Sequence, residues 1–365
     1  MNRRDFVAAA VAAPLALAPA ARALAQDRKF APAPGRWRTF EVVARLDIAQ
    51  AAGATQAWVP VPSVRSAWQQ PSEPTWRGNM REATLVADPV YGAGMVHARW
   101  DDGVAAPSVE VACRVRTQDR AVDWGRRGTA AADRAELALA LRATELMPLD
   151  GIVGRTADEA TRGKRTDVDK ARAIYDWVVA NTHREPTVRG CGVGDIRAML
   201  ETGNLSGKCA DINALFVGLC RAAGLPARDV YGIRVARSAF GYRELGAGSD
   251  DVTKAQHCRA EVWLDGYGWV AMDPADVGKV MRMEAPQWLK DPRHPLVAPV
   301  NAALFGGWEG NWMAYNVAHD VALPGSRFAK VGFLMYPQAE TRGERVDSLD
   351  PETFRYRISA REIPA

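Results

Sequence analysis

The hydrophobic period of this chain changes twice, and that constrains its fold more than any other feature. Over residues 38–48 the apolar side chains alternate through Phe40, Val42, Ala44, Leu46 and Ile48. A period of two sets one face of a strand against a core. Shorter runs follow at 56–61, 83–87, 95–100 and 108–117, each bounded by Gly, Pro or Asp. Short strands with such punctuation predict an antiparallel β-sandwich. Charge and glycine then take over at 123–129, and the period becomes helical. Residues 131–147 predict a helix ending before Pro148. Residues 167–183 carry a stripe of Ala171, Ile174, Trp177 and Val178 behind Thr166 or Asp167 as cap, and a short helix at 195–202 stops at Gly203. The most apolar helix spans about 207–223 and is closed by Gly224 and Pro226.

After that helix the period of two returns. Residues 227–235 predict a strand and 240–253 a polar surface loop. Residues 257–264, a turn at 265–268, and 269–273 predict a β-hairpin. Beyond Pro286 the chain holds Pro and Trp, with strands expected at 331–336 and 353–359. The composition shifts divide it into a leader at 1–25, a sandwich at 26–125, a core at 126–290 and a β-containing extension at 291–365.

Residues 1–25 read as an export signal. Arg3, Arg4 and Phe6 precede a weakly apolar run at 7–21, and Ala23-Leu24-Ala25 before Gln26 is an A-x-A cleavage pattern. The arginine pair resembles a twin-arginine signal, which places the mature chain in the periplasm or outside the cell. An ordinary secretory signal or an uncleaved anchor is the alternative. No other stretch approaches the ~20 apolar residues of a membrane span, so none is expected in the mature chain. The formal charge is +4, and the leader holds Arg3, Arg4 and Arg22 against Asp5. The remainder is near neutral, which gives no reason to expect a nucleic-acid partner.

The apolar helix opens with Ser206-Gly207-Lys208-Cys209-Ala210-Asp211. A cysteine at a helix N-terminus faces unpaired N–H groups and the positive end of the dipole, where a thiol ionises to the nucleophilic thiolate. Downstream, His257 and Asp273 supply a base and a group to orient it. Cys209 would attack a carboxamide carbonyl, His257 would shuttle the proton, and Asp273 would hold the imidazole. The Cys209 N–H and a donor from the 204–208 loop, with Asn204 as candidate, would bind the oxyanion. Strict pairing about the turn sets Asp273 opposite residue 260 or 261, so a bulge, twist or register change is needed to bring it to His257.

The other candidates read as structural. Five cysteines occur: Cys113, Cys191, Cys209, Cys220 and Cys258. Their odd number leaves at least one thiol unpaired in an oxidising compartment; the other four can form up to two disulfides or remain buried thiols. No metal is expected: ligand pairs with zinc spacing are lacking, and adjacent His257 and Cys258 point to opposite strand faces. His97 reads as a structural strand residue; His183, His294 and His319 have no matching partners. Trp288, Trp308 and Trp312 read as packing. Glu261 is either a supporting group near the site or a surface strand residue.

Residues 206–216, followed by Leu219-Cys220-Arg221-Ala222-Ala223-Gly224-Leu225-Pro226, resemble the nucleophile segment of the transglutaminase-like superfamily. His257 with Glu261, then Gly268-Trp269-Val270 and Met272-Asp273-Pro274, resemble its His and Asp segments. The resemblance covers about residues 165–280. It implies a papain-like α+β core with a Cys209–His257–Asp273 triad and no cofactor. Many members carry Trp two residues after the catalytic His, where this chain has Arg259; that bears on substrate preference. The resemblance implies an acyl-thioester intermediate formed on a peptide, a protein or a peptidoglycan stem peptide, resolved by water or an amine. Two further readings are a non-catalytic cell-envelope binding module that keeps the fold, and deamidation of a peptide N-glycan.

Overall fold

The strand Arg38–Asp47 lies between two antiparallel neighbours, Ser108–Thr117 and Tyr356–Ile363. This computed structural model describes residues 28–364 apart from 50, 130 and 132, so the export signal expected at 1–25 lies outside the described residues. The alternation read over 38–48 is the burial pattern observed: Phe40, Val42, Ala44 and Leu46 face inward. A second antiparallel sheet sets Thr55–Pro60 between Gly94–Trp100 and Gln338–Thr341. Strands from the last part of the chain therefore occupy positions in both sheets built from its first part. Inward residues of both sheets join one apolar cluster with the core below. No described helix is long and apolar enough to cross a membrane.

The helical middle differs from expectation at one place. Residues 131–147 do not form one helix: Arg134–Leu139 is helical and the chain then turns. The Ala140 carbonyl accepts the Ala227 N–H at 3.1 Å, and Arg221 donates to the Arg142 carbonyl at 2.8 Å. Those tertiary partners replace the next helical turn, overriding local propensity. Elsewhere the Thr166 cap stands as read, and the structure adds a cap at Asp195. Thr166 accepts from the Asp169 N–H to start Asp167–Asn181, and Asp195 starts Ile196–Thr202.

Helix Cys209–Ala222 is the centre of the molecule. Every residue from Cys209 to Arg221 is buried, as expected of a helix apolar on all sides. It packs on a four-stranded antiparallel sheet ordered Gly268–Met272, Gln256–Leu264, Ala227–Arg234 and Trp312–Asn316. The hairpin turn is one residue tighter than read: Leu264 pairs with Gly268 across Asp265-Gly266-Tyr267, with Gly266 at φ 80°. Extending that register sets Asp273 opposite Arg259. His257 is then the diagonal neighbour on the same face, within reach of its side chain without a bulge.

Candidate active site

Cys209 is the first residue of its helix, and the start of that helix is held by the Asp211 carboxylate. Asp211 accepts from the N–H groups of Val193 at 2.8 Å, Gly194 at 2.9 Å and Lys208 at 2.9 Å. Gly192 sits against that carboxylate at φ 95°; a Cβ there would lie 1.8 Å from Asp211 Oδ2. The same loop brings Cys191 to the helix mouth, where its carbonyl accepts the Ala210 N–H at 2.9 Å.

The Cys209 thiol is held well below its ordinary range. Hydrogen bonds from the Cys191 and Cys258 thiols are the largest causes; burial opposes them, and His257 adds a hydrogen bond and its charge. Cys191 and Cys258 are pushed up in turn, Cys191 first by its proximity to Cys209 and Cys258 first by burial, while the Cys191 thiol donates to the Gln256 carbonyl at 3.3 Å. Burial also lifts Cys113 to about 12. All five cysteines are free and buried.

His257 is buried against two carboxylates. Its Nε2 lies 2.8 Å from Asp273 Oδ2 and 3.4 Å from Asp276 Oδ2. Asp273 leaves the sheet to cap helix Pro274–Met283, so its Oδ1 accepts the Asp276 N–H at 3.1 Å and the Asn213 side chain at 3.2 Å. Asn213 is one helical turn from Cys209 on the same helix, which ties the cysteine's helix to the carboxylate. Arg234 donates to Asp276 Oδ1 at 2.6 Å, and Arg259 Nε lies 3.6 Å from Asp273 Oδ2. Burial disfavours a charged His257, but Asp276 and then Asp273 outweigh it and lift the imidazole to about 9. Burial and then Asp276 raise Asp273; Asp276 stays well below the carboxylate range because Arg234 and His257 outweigh its burial. His257, Asp273 and Asp276 offer ligand atoms within 4.8 Å of one another, the one group among the described residues that could hold a metal ion. The positive charge facing these carboxylates comes from Arg234, Arg259 and His257 itself.

A cavity of about 430 Å³ opens beside this cluster and is lined by Cys209, His257, Cys191, Gln256, Lys208 and Arg184 among others. The structure thus brings Cys209 and His257 to one cavity, with Asp273 behind the imidazole. Asn204 is not among the residues lining it. Its Oδ1 accepts from the N–H and hydroxyl of Ser206 in an exposed turn. Gln256 does line the cavity, and its Nε2 is a buried donor without a partner. Sequence reasoning missed Gln256, Cys191, Asp276 and Arg234; only the position of Gln256 next to His257 hinted at any of them.

The remaining expectations separate cleanly. Glu261 is buried at the far end of the hairpin strand, bound by Arg120 and by Arg228 at 2.7 Å, and tethers residue 120 to the central sheet rather than reaching the cavity. Arg259 lies against Trp308 and Trp312, 5.1 and 4.7 Å from their ring centroids, and donates to the Glu309 carbonyl at 3.0 Å. Trp308 and Trp312 are core residues, whereas Trp288 is exposed. His97 stacks on Trp58, and His319 is buried near Asp229 and Tyr231.

A family model described as the transglutaminase-like superfamily matches residues 154–274. An uncharacterised protein of Haemophilus influenzae strain Rd is 35% identical over 326 residues, covering 85% of this chain and 87% of its own. Among solved structures, a candidate cysteine protease from Cytophaga hutchinsonii aligns with a TM-score of 0.50 at 16% identity, covering 90% of this chain and 99% of that one. At that identity the likeness speaks for the fold alone.

Proposed function

The chain belongs to the transglutaminase-like superfamily, and on that premise we propose that it is a thiol-dependent enzyme that hydrolyses an amide of a peptide, protein or peptidoglycan stem peptide. The observation that carries this reading is the placement of Cys209 and His257 on one cavity wall with Asp273 2.8 Å behind the imidazole, which holds the cysteine low and the histidine high. Near neutral pH that pair is a thiolate and an imidazolium. We read Cys209, His257 and Asp273 as the triad, with Asp276 as a second carboxylate on the imidazole.

The steps follow from that charge state. The Cys209 sulfur attacks the carbonyl carbon, a C–S bond forms, and the carbonyl electron pair moves to oxygen. The Cys209 N–H at the helix start and the Gln256 side-chain amide are the donors suited to that oxyanion. Collapse breaks the C–N bond, and the His257 proton goes to the leaving amine. Water then attacks the thioester while His257 accepts its proton, and C–S cleavage returns the thiolate. Water is the favoured acceptor because the cavity wall carries Arg184, Lys208, Gln256 and Lys279 among its apolar residues and so can hold water beside Cys209. The leader read at 1–25 supports action outside the cytoplasm.

The test is the pH dependence of alkylation. An ordinary thiol below its pKa loses about tenfold in rate per pH unit, because only the thiolate reacts. Cys209 should instead react with iodoacetamide at a nearly constant rate from pH 8.5 down to 6, ahead of the other four thiols. His257→Asn removes the imidazolium and should restore only part of the ordinary slope, because Cys191 and Cys258 remain against the sulfur. A tenfold-per-unit slope in the unaltered protein would sink the reading. Gln256→Ala is expected to lower kcat on a peptide amide by about 10²-fold with little change in KM, as for one oxyanion donor. An equal loss in KM alone would make Gln256 a ground-state contact.

A further inference from the structure

We infer that the cavity beside Cys209 recognises a carboxylate of the substrate near the scissile amide, with Arg184 and Lys208 as its receptors. The inference rests on the reading of Cys209 as the nucleophile. Strand His183–Arg184 pairs in parallel with Ser206–Gly207, and Arg184 lies opposite Gly207. Adjacent backbones thus deliver a guanidinium and the Lys208 ammonium to the threshold of the Cys209 helix, and both line the cavity.

Neither cation has an anionic partner within ion-pairing distance among the described residues. Arg184 Nε is buried and accepted by nothing. A buried guanidinium N–H left unpaired is costly, and two like charges side by side add to that. Burial, and next the charge of Arg184, lowers Lys208. The other cations on the wall are engaged. Arg234 holds Asp276 at 2.6 Å, Lys279 donates to the Glu244 carbonyl at 2.6 Å, and Lys254 lies 3.8 Å from Glu352. One carboxylate lines the wall, Asp251, and it lies 3.0 Å from Arg357. The leading causes that hold the Cys209 thiolate are Cys191, Cys258 and His257, and Lys208 feels the charge of Cys209 and Asp211 without an ion pair to either. A planar guanidinium fork beside an ammonium matches a carboxylate, which accepts two parallel N–H bonds.

Two alkylating reagents test this on the intact protein without a known substrate. Iodoacetate carries a carboxylate beside its reactive carbon; iodoacetamide is its neutral counterpart. The iodoacetate-to-iodoacetamide rate ratio at Cys209 should fall by about tenfold when Arg184→Gln and Lys208→Gln are combined, the worth of a charge-assisted contact. Arg184→Gln and Lys208→Gln should each reduce the ratio severalfold, and Arg184→Lys should retain part of it. His257 is common to all these proteins and cancels. A ratio unchanged in both Gln variants overturns the inference and leaves the two cations a structural role. Paired peptides bearing Glu or Gln next to the scissile amide complete the test. Turnover with no preference for Glu removes the carboxylate site alone. A preserved reagent preference with no turnover of either peptide removes the hydrolytic reading alone.

Discussion

Cys209→Ala is expected to lower turnover of a peptide amide by about 10⁴-fold or more, the scale on which a covalent nucleophile acts. The substitution removes one sulfur from a buried helix start and leaves the Asp211 cap and the Asn213 link in place. The thermal midpoint should therefore move by a few degrees at most. Loss of activity with the fold retained separates a chemical role from a packing role, which circular dichroism and a melting curve will show on the same sample. The hydroxylamine-trappable thioester should vanish with the sulfur. Activity within tenfold of the unaltered enzyme would rule out Cys209 as the nucleophile and with it the mechanism above.

Arg234→Met should destabilise the fold by about 3–5 kcal/mol, the usual effect of stripping one partner from a buried ion pair. Arg234 is 3% exposed, holds Asp276 at 2.6 Å and donates to the Leu245 carbonyl at 2.6 Å. Without it, the buried charges are two carboxylates against His257 and Arg259. Adding Asp276→Asn removes the orphaned charge, so the double variant should lose less than the two single losses summed; urea unfolding of all four proteins closes the cycle. The activity profile gives a second readout. Arg234 presses the His257 imidazolium toward losing its proton. Its removal takes that opposing charge away from the imidazolium and leaves both carboxylates in place, so the folded pKa of His257 rises and the alkaline limb of the rate profile moves to higher pH. A stable Arg234→Met protein with an unmoved limb would show that the pair is energetically idle.

What could be read from the chain was what is local. The alternation over 38–48, the Thr166 cap, the short helix stopping at Gly203 and the apolar helix ending at Gly224 are each written in neighbouring residues, and each appears where it was read. Cys209, His257 and Asp273 were legible as a set because each sits at the end of such an element. The hairpin register was misjudged by one residue because Gly266 permits a tighter turn, and that one residue decides which side chains share a face. Asp276, Arg234 and Cys191 were invisible for another reason. They reach the site through a helix cap, a central strand and a loop folded around Asp211, and no short-range pattern names those partners. The helix read over 131–147 failed similarly, since its carbonyls bond to residues 221 and 227.

The return of the chain's end to its beginning bears on how the molecule is made. Arg38 binds Glu362 across 324 residues, and the Thr55 and Thr341 hydroxyls meet 2.8 Å apart across 286. Contacts so distant in sequence close large loops before they are rewarded, which slows folding. Until Tyr356–Ile363 and Gln338–Thr341 exist, Arg38–Asp47 and Thr55–Pro60 each present an unpaired edge able to pair with another chain. The first hundred residues are therefore an aggregation hazard during synthesis and a finished structure only after it. A nascent chain must keep those two edges covered until its own last strands arrive.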